Sequence, residues 1–322
     1  MCGITRGIFA TAICLLLAAN AAFAQSKKAV TFAYTNDIAY EPYVYAIRKG
    51  IVSSPNVDLK LVPTAIPALL QATGTKQFDL IETSPLGLAV GNSRGLDARI
   101  AGTAGIVRGG RFLFVKEGSP IKSATELKGK SIGATALAST LVAQIRAVLE
   151  RKYHLNVSLE NGDIRWVELP LPALPSALDR GQIDSAYLIH LPSLKALNSP
   201  DFRVLVDMTK EFKAEFGIDP LTSVVATYDS KIAEMGPSLH EAMSMLRASS
   251  AYAESHAAEV VSAAAKEGNV SESDLKTISE EWYDVRFTLM PEDEKMIQTI
   301  LDVGKEEKLI SSYPPLDKFI WK

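Results

Sequence analysis

The chain has 322 residues, with 34 basic and 37 acidic side chains, a net charge of −3 and a hydrophobic fraction of 47%. This is the composition of an ordinary globular protein of about two domains, which excludes a disordered or fibrous chain. The near-neutral balance and the lack of a polybasic run give no reason to expect binding to nucleic acid or to an anionic membrane surface.

The first segment reads as an export signal. Arg6 is the only charge before Lys27, the apolar run from Ile8 to Ala19 is short for a bilayer span, and Ala22-Phe23-Ala24 fits a small-x-small cleavage site. Residues 1–24 are therefore expected to be removed after Ala24. Thr11-Ala12-Ile13-Cys14 is a poor match to a lipid-attachment signal. Both cysteines, Cys2 and Cys14, would leave with the signal. Disulfides, thiolate metal sites and cysteine catalysis are then excluded from the mature chain.

Short apolar runs alternate with amphipathic stretches, which predicts an α/β architecture. Val30–Tyr34 reads as the first strand, and Pro42 and Gly50 suit the start and end of the helix after it. Val57–Val62 is a second strand, 67–76 a helix and Phe78–Glu82 a third strand. Ala98–Val107 and Arg111–Val115 are further apolar segments, separated by Gly109-Gly110. In the helix predicted over 139–153, Leu141, Ile145, Val148 and Leu149 form one apolar stripe, with Gln144, Arg146, Glu150 and Arg151 opposite. From Pro237 onward the pattern is helical, with no strong strand after Tyr228.

Two stretches echo each other. Leu69 to Pro85 and Leu174 to Ser193 each run helix, turn, aspartate (Asp79, Asp184), apolar strand, proline. Two similar α/β lobes would produce this, although any two helix-turn-strand units share such a pattern.

Ile121-Lys122-Ser123-Ala124-Thr125-Glu126-Leu127-Lys128-Gly129-Lys130-Ser131-Ile132-Gly133 resembles the signature that opens the second lobe of type II periplasmic solute-binding proteins. Arg48-Lys49-Gly50-Ile51, Pro67-Ala68-Leu69-Leu70, Gly181-Gln182-Ile183-Asp184 and Leu301 to Ile310 follow that family's order. The resemblance covers nearly the whole mature chain and lies nearest the branch for aliphatic sulfonates, taurine, nitrate and the pyrimidine precursor of thiamine. It implies a two-lobe α/β fold, each lobe a mixed sheet flanked by helices. Lobe one is expected at 26–108 and 225–322, carrying the C-terminal helices, and lobe two at 109–224.

Ligands of open α/β sheets sit beyond the carboxyl ends of the strands, so the site is expected between the lobes. The candidate ligand contacts are Asn36, Asp37, Tyr40, Thr64, Ala65, Ile66, Thr83, Ser84, Arg108, Ala138, Ser139, Thr140 and His190. Helix starts near Tyr40, Thr64–Ile66, Ser84 and Ala138–Thr140 offer free N–H groups to an acidic head group. Ser139 also reads as a plain N-cap, and Pro63 and Pro67 replace the family's usual glycine-serine loop beside Thr64. The charge cues conflict. Asp37 and Glu82 would repel an anion and suit an amine or hydroxyl, whereas Arg108 and Arg111 would clamp a carboxylate or sulfonate or else be solvated hinge charge. His190 falls at a cleft position of the family but also reads as a structural histidine. No second ligand stands at metal spacing, so neither metal nor cofactor is expected.

The expected function is the periplasmic solute-binding component of an ABC transporter. It would capture a small polar, acidic organic solute by hinge closure and deliver it to an inner-membrane permease. The protein is expected to be a soluble monomer, to bind no nucleic acid and to catalyse no reaction. Two alternatives remain. One is an enzyme on the same fold, like the thiamine-pyrimidine synthase, whose cysteine-rich motif a mature chain without cysteine would lack. The other is a periplasmic sensor subunit.

Overall fold

A computed structural model describes residues 26–322; the export signal expected at 1–24 lies outside the described residues. The chain first lays down β1 (Lys28–Thr35), α1 (Glu41–Arg48), β2 (Val57–Thr64), α2 (Ile66–Thr75), β3 (Leu80–Thr83), α3 (Pro85–Ser93) and β4 (Ala98–Val107). It then crosses to β5 (Phe112–Lys116), β6 (Ser131–Ala134), α4 (Thr140–Tyr153), β7 (Arg165–Glu168), α5 (Leu174–Asp179), β8 (Ser185–Leu188), α6 (His190–Leu197), β9 (Phe202–Asp207) and α7 (Met208–Phe216). It returns through β10 (Leu221–Tyr228) to α8 (Asp229–Ser255), α9 (Ala257–Gly268), α10 (Glu272–Lys276), β11 (Tyr283–Asp284), α11 (Pro291–Glu306) and α12 (Leu316–Phe319).

Two mixed sheets result. The first runs β2-β1-β3-β10-β4-β11 and the second β7-β6-β8-β5-β9. β1 is parallel to β2 and β3, and β6 to β7 and β8, while β10 and β5 run antiparallel to their neighbours. Because β10 begins at Leu221 within the first sheet, the return crossing falls near 217–220, ahead of residue 225. Only the two-residue β11 follows Tyr228 as a strand, and the remainder is helical.

The sequence echo has a structural cause. Asp79 Oδ2 accepts from the Thr31 N–H at 2.9 Å and the Thr31 hydroxyl at 2.8 Å, which pins β3 to β1. Asp184 Oδ2 accepts from the Ser131 N–H at 2.8 Å and the Ser131 hydroxyl at 2.7 Å, which pins β8 to β6. Each lobe thus staples its parallel strands with a carboxylate placed just before the strand. The shared motif marks the same position in two lobes.

Helix α4 departs from the amphipathic expectation. All ten residues from Thr140 to Leu149 are buried, Gln144 and Arg146 included. The apolar stripe packs into lobe two. The polar side faces lobe one, where Gln144 Nε2 donates to the Leu221 carbonyl at 2.7 Å and Arg146 pairs with Glu307 at 2.9 Å. A single apolar cluster runs from Leu86, Ile100 and Ile300 of lobe one to Ile132, Ile145 and Phe212 of lobe two. The lobes are therefore joined by a helix as well as by two crossings. At the first crossing Gly110 has φ +76°, and a Cβ there would sit 2.0 Å from the Trp282 ring. Only glycine fits that backbone against the indole.

Candidate functional site

The parallel strands of both lobes aim their carboxyl ends at one cleft. Its outer part is about 1010 Å³ and is walled by the ends of β1, β2, β6 and β7 and by α5 and α6. A smaller inner pocket of about 50 Å³ lies among Glu82, Thr83, Ser84, Ser139, His190 and Tyr283.

Two side-chain pairs join the lobes here. Asp37, at the end of β1, caps the turn that follows by accepting from the Ala39 N–H at 2.9 Å. Its other oxygen meets His190 Nδ1 of lobe two at 2.9 Å. Burial alone would push the Asp37 carboxyl up, but the His190 charge and the His190 and Ala39 hydrogen bonds outweigh it and hold it below its ordinary value. His190 is 5% exposed, stands edge-on to Tyr283 with ring centres 4.7 Å apart, and has φ +49°. A left-handed non-glycine backbone costs roughly 1–2 kcal/mol, which the interlobe contacts hold in place. The second pair is Ser84 and Thr140, whose hydroxyls share a 2.6 Å hydrogen bond. Ser84 Oγ also accepts from the Gly87 and Thr140 N–H groups, so the starts of α3 and α4 meet across the cleft.

Behind the pocket, Glu82 accepts from the Thr35 N–H at 2.7 Å and from the Tyr40 hydroxyl. Burial first, then the Glu82 charge, raises the Tyr40 phenol well above its ordinary value. Tyr283 is pushed up to about 12, mainly by burial, with Arg111 opposing. Both phenols are therefore neutral hydrogen-bonding groups at any physiological pH.

The expected site residues divide as follows. Asn36, Asp37, Ala65 and Ile66 line the outer cleft, and Ile66, Thr83, Ser84, Ser139 and His190 line the inner pocket. Thr140 does not line the cavity but positions Ser84. Four residues lie elsewhere. Tyr40 is buried behind Glu82, Thr64 turns its hydroxyl to the Val62 carbonyl, Ala138 is exposed outside the lining, and Arg108 is exposed on Asp284 at 2.6 Å. Arg111 is also drawn away, into lobe two, where it donates to Gln144 Oε1 at 2.9 Å. Neither arginine lines the cleft: Arg108 is held by the Asp284 carboxylate, and Arg111 lies outside the lining on the neutral Gln144 amide, with its Nε and one terminal nitrogen unpartnered among the described residues.

Sequence reasoning missed the wall formed by Leu169-Pro170-Leu171-Pro172 and Pro175, and also Thr222, Ser223 and Tyr283. The proline run directly after a strand was a usable signal, since proline ends a strand and keeps the chain extended. Tyr283 carried no local signal. Among the described residues no group of three or more His, Cys, Asp or Glu side chains is arranged to hold a metal, and no helix is long and apolar enough to cross a membrane.

This fold, with two mixed sheets flanked by helices around a cleft, is that of the periplasmic binding proteins. The chain is similar to the periplasmic aliphatic sulphonate binding protein SsuA from Escherichia coli, at 16% identity over 92% of this chain and 93% of that one, with a TM-score of 0.67. The alkanesulfonate-binding protein SsuA from Xanthomonas axonopodis pv. citri, bound to MOPS, shares 17% identity over 92% and 99%, with a TM-score of 0.70. The desulfurization enzyme DSZB shares 16% over 91% and 96%, with a TM-score of 0.60. At these identities the likeness defines the fold. No protein-family model and no curated protein matches the chain.

Proposed function

We propose that the chain is the solute-binding component of an ABC importer, exported to the periplasm, where it captures a small organic solute as a monomer and presents it to an inner-membrane permease. The observation that carries this reading is the cleft itself. Its two walls come from different lobes, and Asp37–His190 and Ser84–Thr140 tie them shut around the inner pocket. Opening parts these polar contacts, the α4 surface and the apolar packing of Leu194 on Ala39 and Ile278, with bending at Gly109-Gly110 and at 217–220. The SsuA proteins, named as sulfonate binders, share the architecture. In the proposed site the head of the solute enters the inner pocket and its body occupies the outer cleft.

A second reading is favoured by one observation. His190, held by Asp37, and Ser139, whose hydroxyl has no partner among the described residues, line one pocket, and DSZB shows that an enzyme can use this fold. Native mass spectrometry of the periplasmic protein separates the two. A small molecule released on mild activation supports the binding role. A covalent adduct on Ser139 supports the enzyme, and a protein that carries and binds no small molecule refutes the binding role.

A further inference from the structure

The notable feature of the inner pocket is which groups it leaves free. His190 Nδ1 is committed to Asp37, so Nε2, buried, has no partner among the described residues. Ser139 is 3% exposed, lines the same pocket, and its hydroxyl is also unpartnered. It makes no side-chain cap, so the Leu141 and Val142 amides at the start of α4 receive none from it. By contrast, both Glu82 oxygens are occupied by Thr35 and Tyr40. The free set is therefore the backbone donors and the Ser139 hydroxyl at the start of α4, together with the imidazole nitrogen of His190.

The charges point the same way. Glu82 lines the pocket, Asp37 stands behind His190, and neither lysine nor arginine is in its wall. The outer cleft has Asp37, Glu168 and Lys195 as its charged lining, and the latter two are exposed. An anionic head would face Glu82 in the wall and Asp37 behind it, against one imidazole, the half-charge of a helix end and Arg111, which acts on Tyr283 from outside the wall. A carboxamide both donates and accepts, so it satisfies Nε2 whichever way the ring is protonated, whereas a carboxylate or sulfonate only accepts and so satisfies Nε2 only when that nitrogen carries a proton.

We propose that the solute is uncharged. Its head is of the carboxamide type, with the carbonyl on the α4 amides and Ser139 and an N–H on His190 Nε2, and its body is apolar and fills the outer cleft. This rests on the solute-binding reading and adds the chemistry of the ligand. Size agrees: about 50 Å³ of inner pocket holds roughly three or four water-sized atoms, which is one carboxamide. The outer wall is set by Pro67, Pro170, Pro172, Pro175, Pro192 and Phe202, an apolar surface with rigid backbone. Its volume of about 1010 Å³ stands at the upper end of pockets for drug-sized ligands, roughly 300–1,000 Å³.

Calorimetry with matched probes tests the assignment, using 4-phenylbutanamide, 4-phenylbutanoate, 4-phenylbutane-1-sulfonate and acetamide. The amide should bind at least about tenfold tighter than either anion, since an anion leaves a buried group unpaired. Acetamide, lacking the body, should bind far more weakly than phenylbutanamide. His190→Leu should erase the preference for the amide, while His190→Gln, which keeps an acceptor, should retain it. Ser139→Ala, which leaves the Asp37–His190 pair intact, should weaken the amide several-fold and guards against a His190 variant that fails to fold. An anion that binds as tightly as the amide overturns the uncharged head, and acetamide binding as tightly as phenylbutanamide overturns the apolar body. In both cases the solute-binding role stands. No binding of any probe at millimolar concentration overturns the inference, and the role is then judged separately by the mass-spectrometric result above.

Discussion

Replacing Arg146 by methionine should destabilise the protein strongly at pH 8 and only mildly at pH 5. The Arg146 and Glu307 side chains are 6% and 3% exposed, and their 2.9 Å bridge links α4 of lobe two to the end of α11 in lobe one. Arg146 Nε also donates to the Val157 carbonyl at 2.9 Å. Removing one member of such a pair leaves an uncompensated buried charge, which costs about 3–5 kcal/mol. For a chain of this size that corresponds to roughly 6–12 °C in Tm. Burial foremost, and the nearby Glu150 carboxylate, push Glu307 from 4.5 to about 7 against the pull of Arg146. Without Arg146 it rises further, so at pH 8 proton uptake relieves part of the penalty and the loss falls at the lower end of that range, about 3 kcal/mol. At pH 5 the carboxyl is then protonated in the variant, no buried charge remains, and the cost falls to the lost hydrogen bonds, about 1–2 kcal/mol. The sign for the wild type follows from the same shift. The folded state holds the proton more tightly, so the Glu307 contribution is full below pH 4.5 and is lost as pH rises through about 7. Glu307→Gln should flatten that slope, and Arg146→Met with Glu307→Leu should recover most of the stability, because an apolar pair needs no desolvation. Urea and thermal unfolding at both pH values provide the assay. A single-variant cost below about 1 kcal/mol at pH 8, or one equal at both pH values, would refute the buried-pair argument.

Two further outcomes are expected. Trp282 packs on the Gly109-Gly110 crossing and its carbonyl accepts from the Arg108 N–H, so solute-driven closure should change its fluorescence; Trp282→Phe should remove most of that signal, and an unchanged signal would place the moving hinge elsewhere. Tyr40→Phe strips Glu82 of one of its two donors in a buried site, and melting should show a loss of about 1–3 kcal/mol; a neutral result would mean that water replaces the phenol.

Local pattern alone determined much of this protein. The order of strands and helices, the apolar stripe of α4 and the repeated aspartate of the two lobes were legible because side-chain periodicity and turn chemistry act over a few residues. The carboxyl ends of the strands located the cleft, and Asp37, Ser84, Ser139 and His190 were among its expected members. The tertiary structure decided which groups have partners. Asp37 and His190 are 153 positions apart, and nothing local says that they meet, or that Arg108 is spent on Asp284 and Arg111 on Gln144. Gln144 and Arg146, opposite the apolar stripe of α4, are buried against lobe one, since a helix pattern shows which side is apolar and not what lies against the other. The electrostatic character of a cleft is a property of how two surfaces face each other, and that is set only when the lobes close.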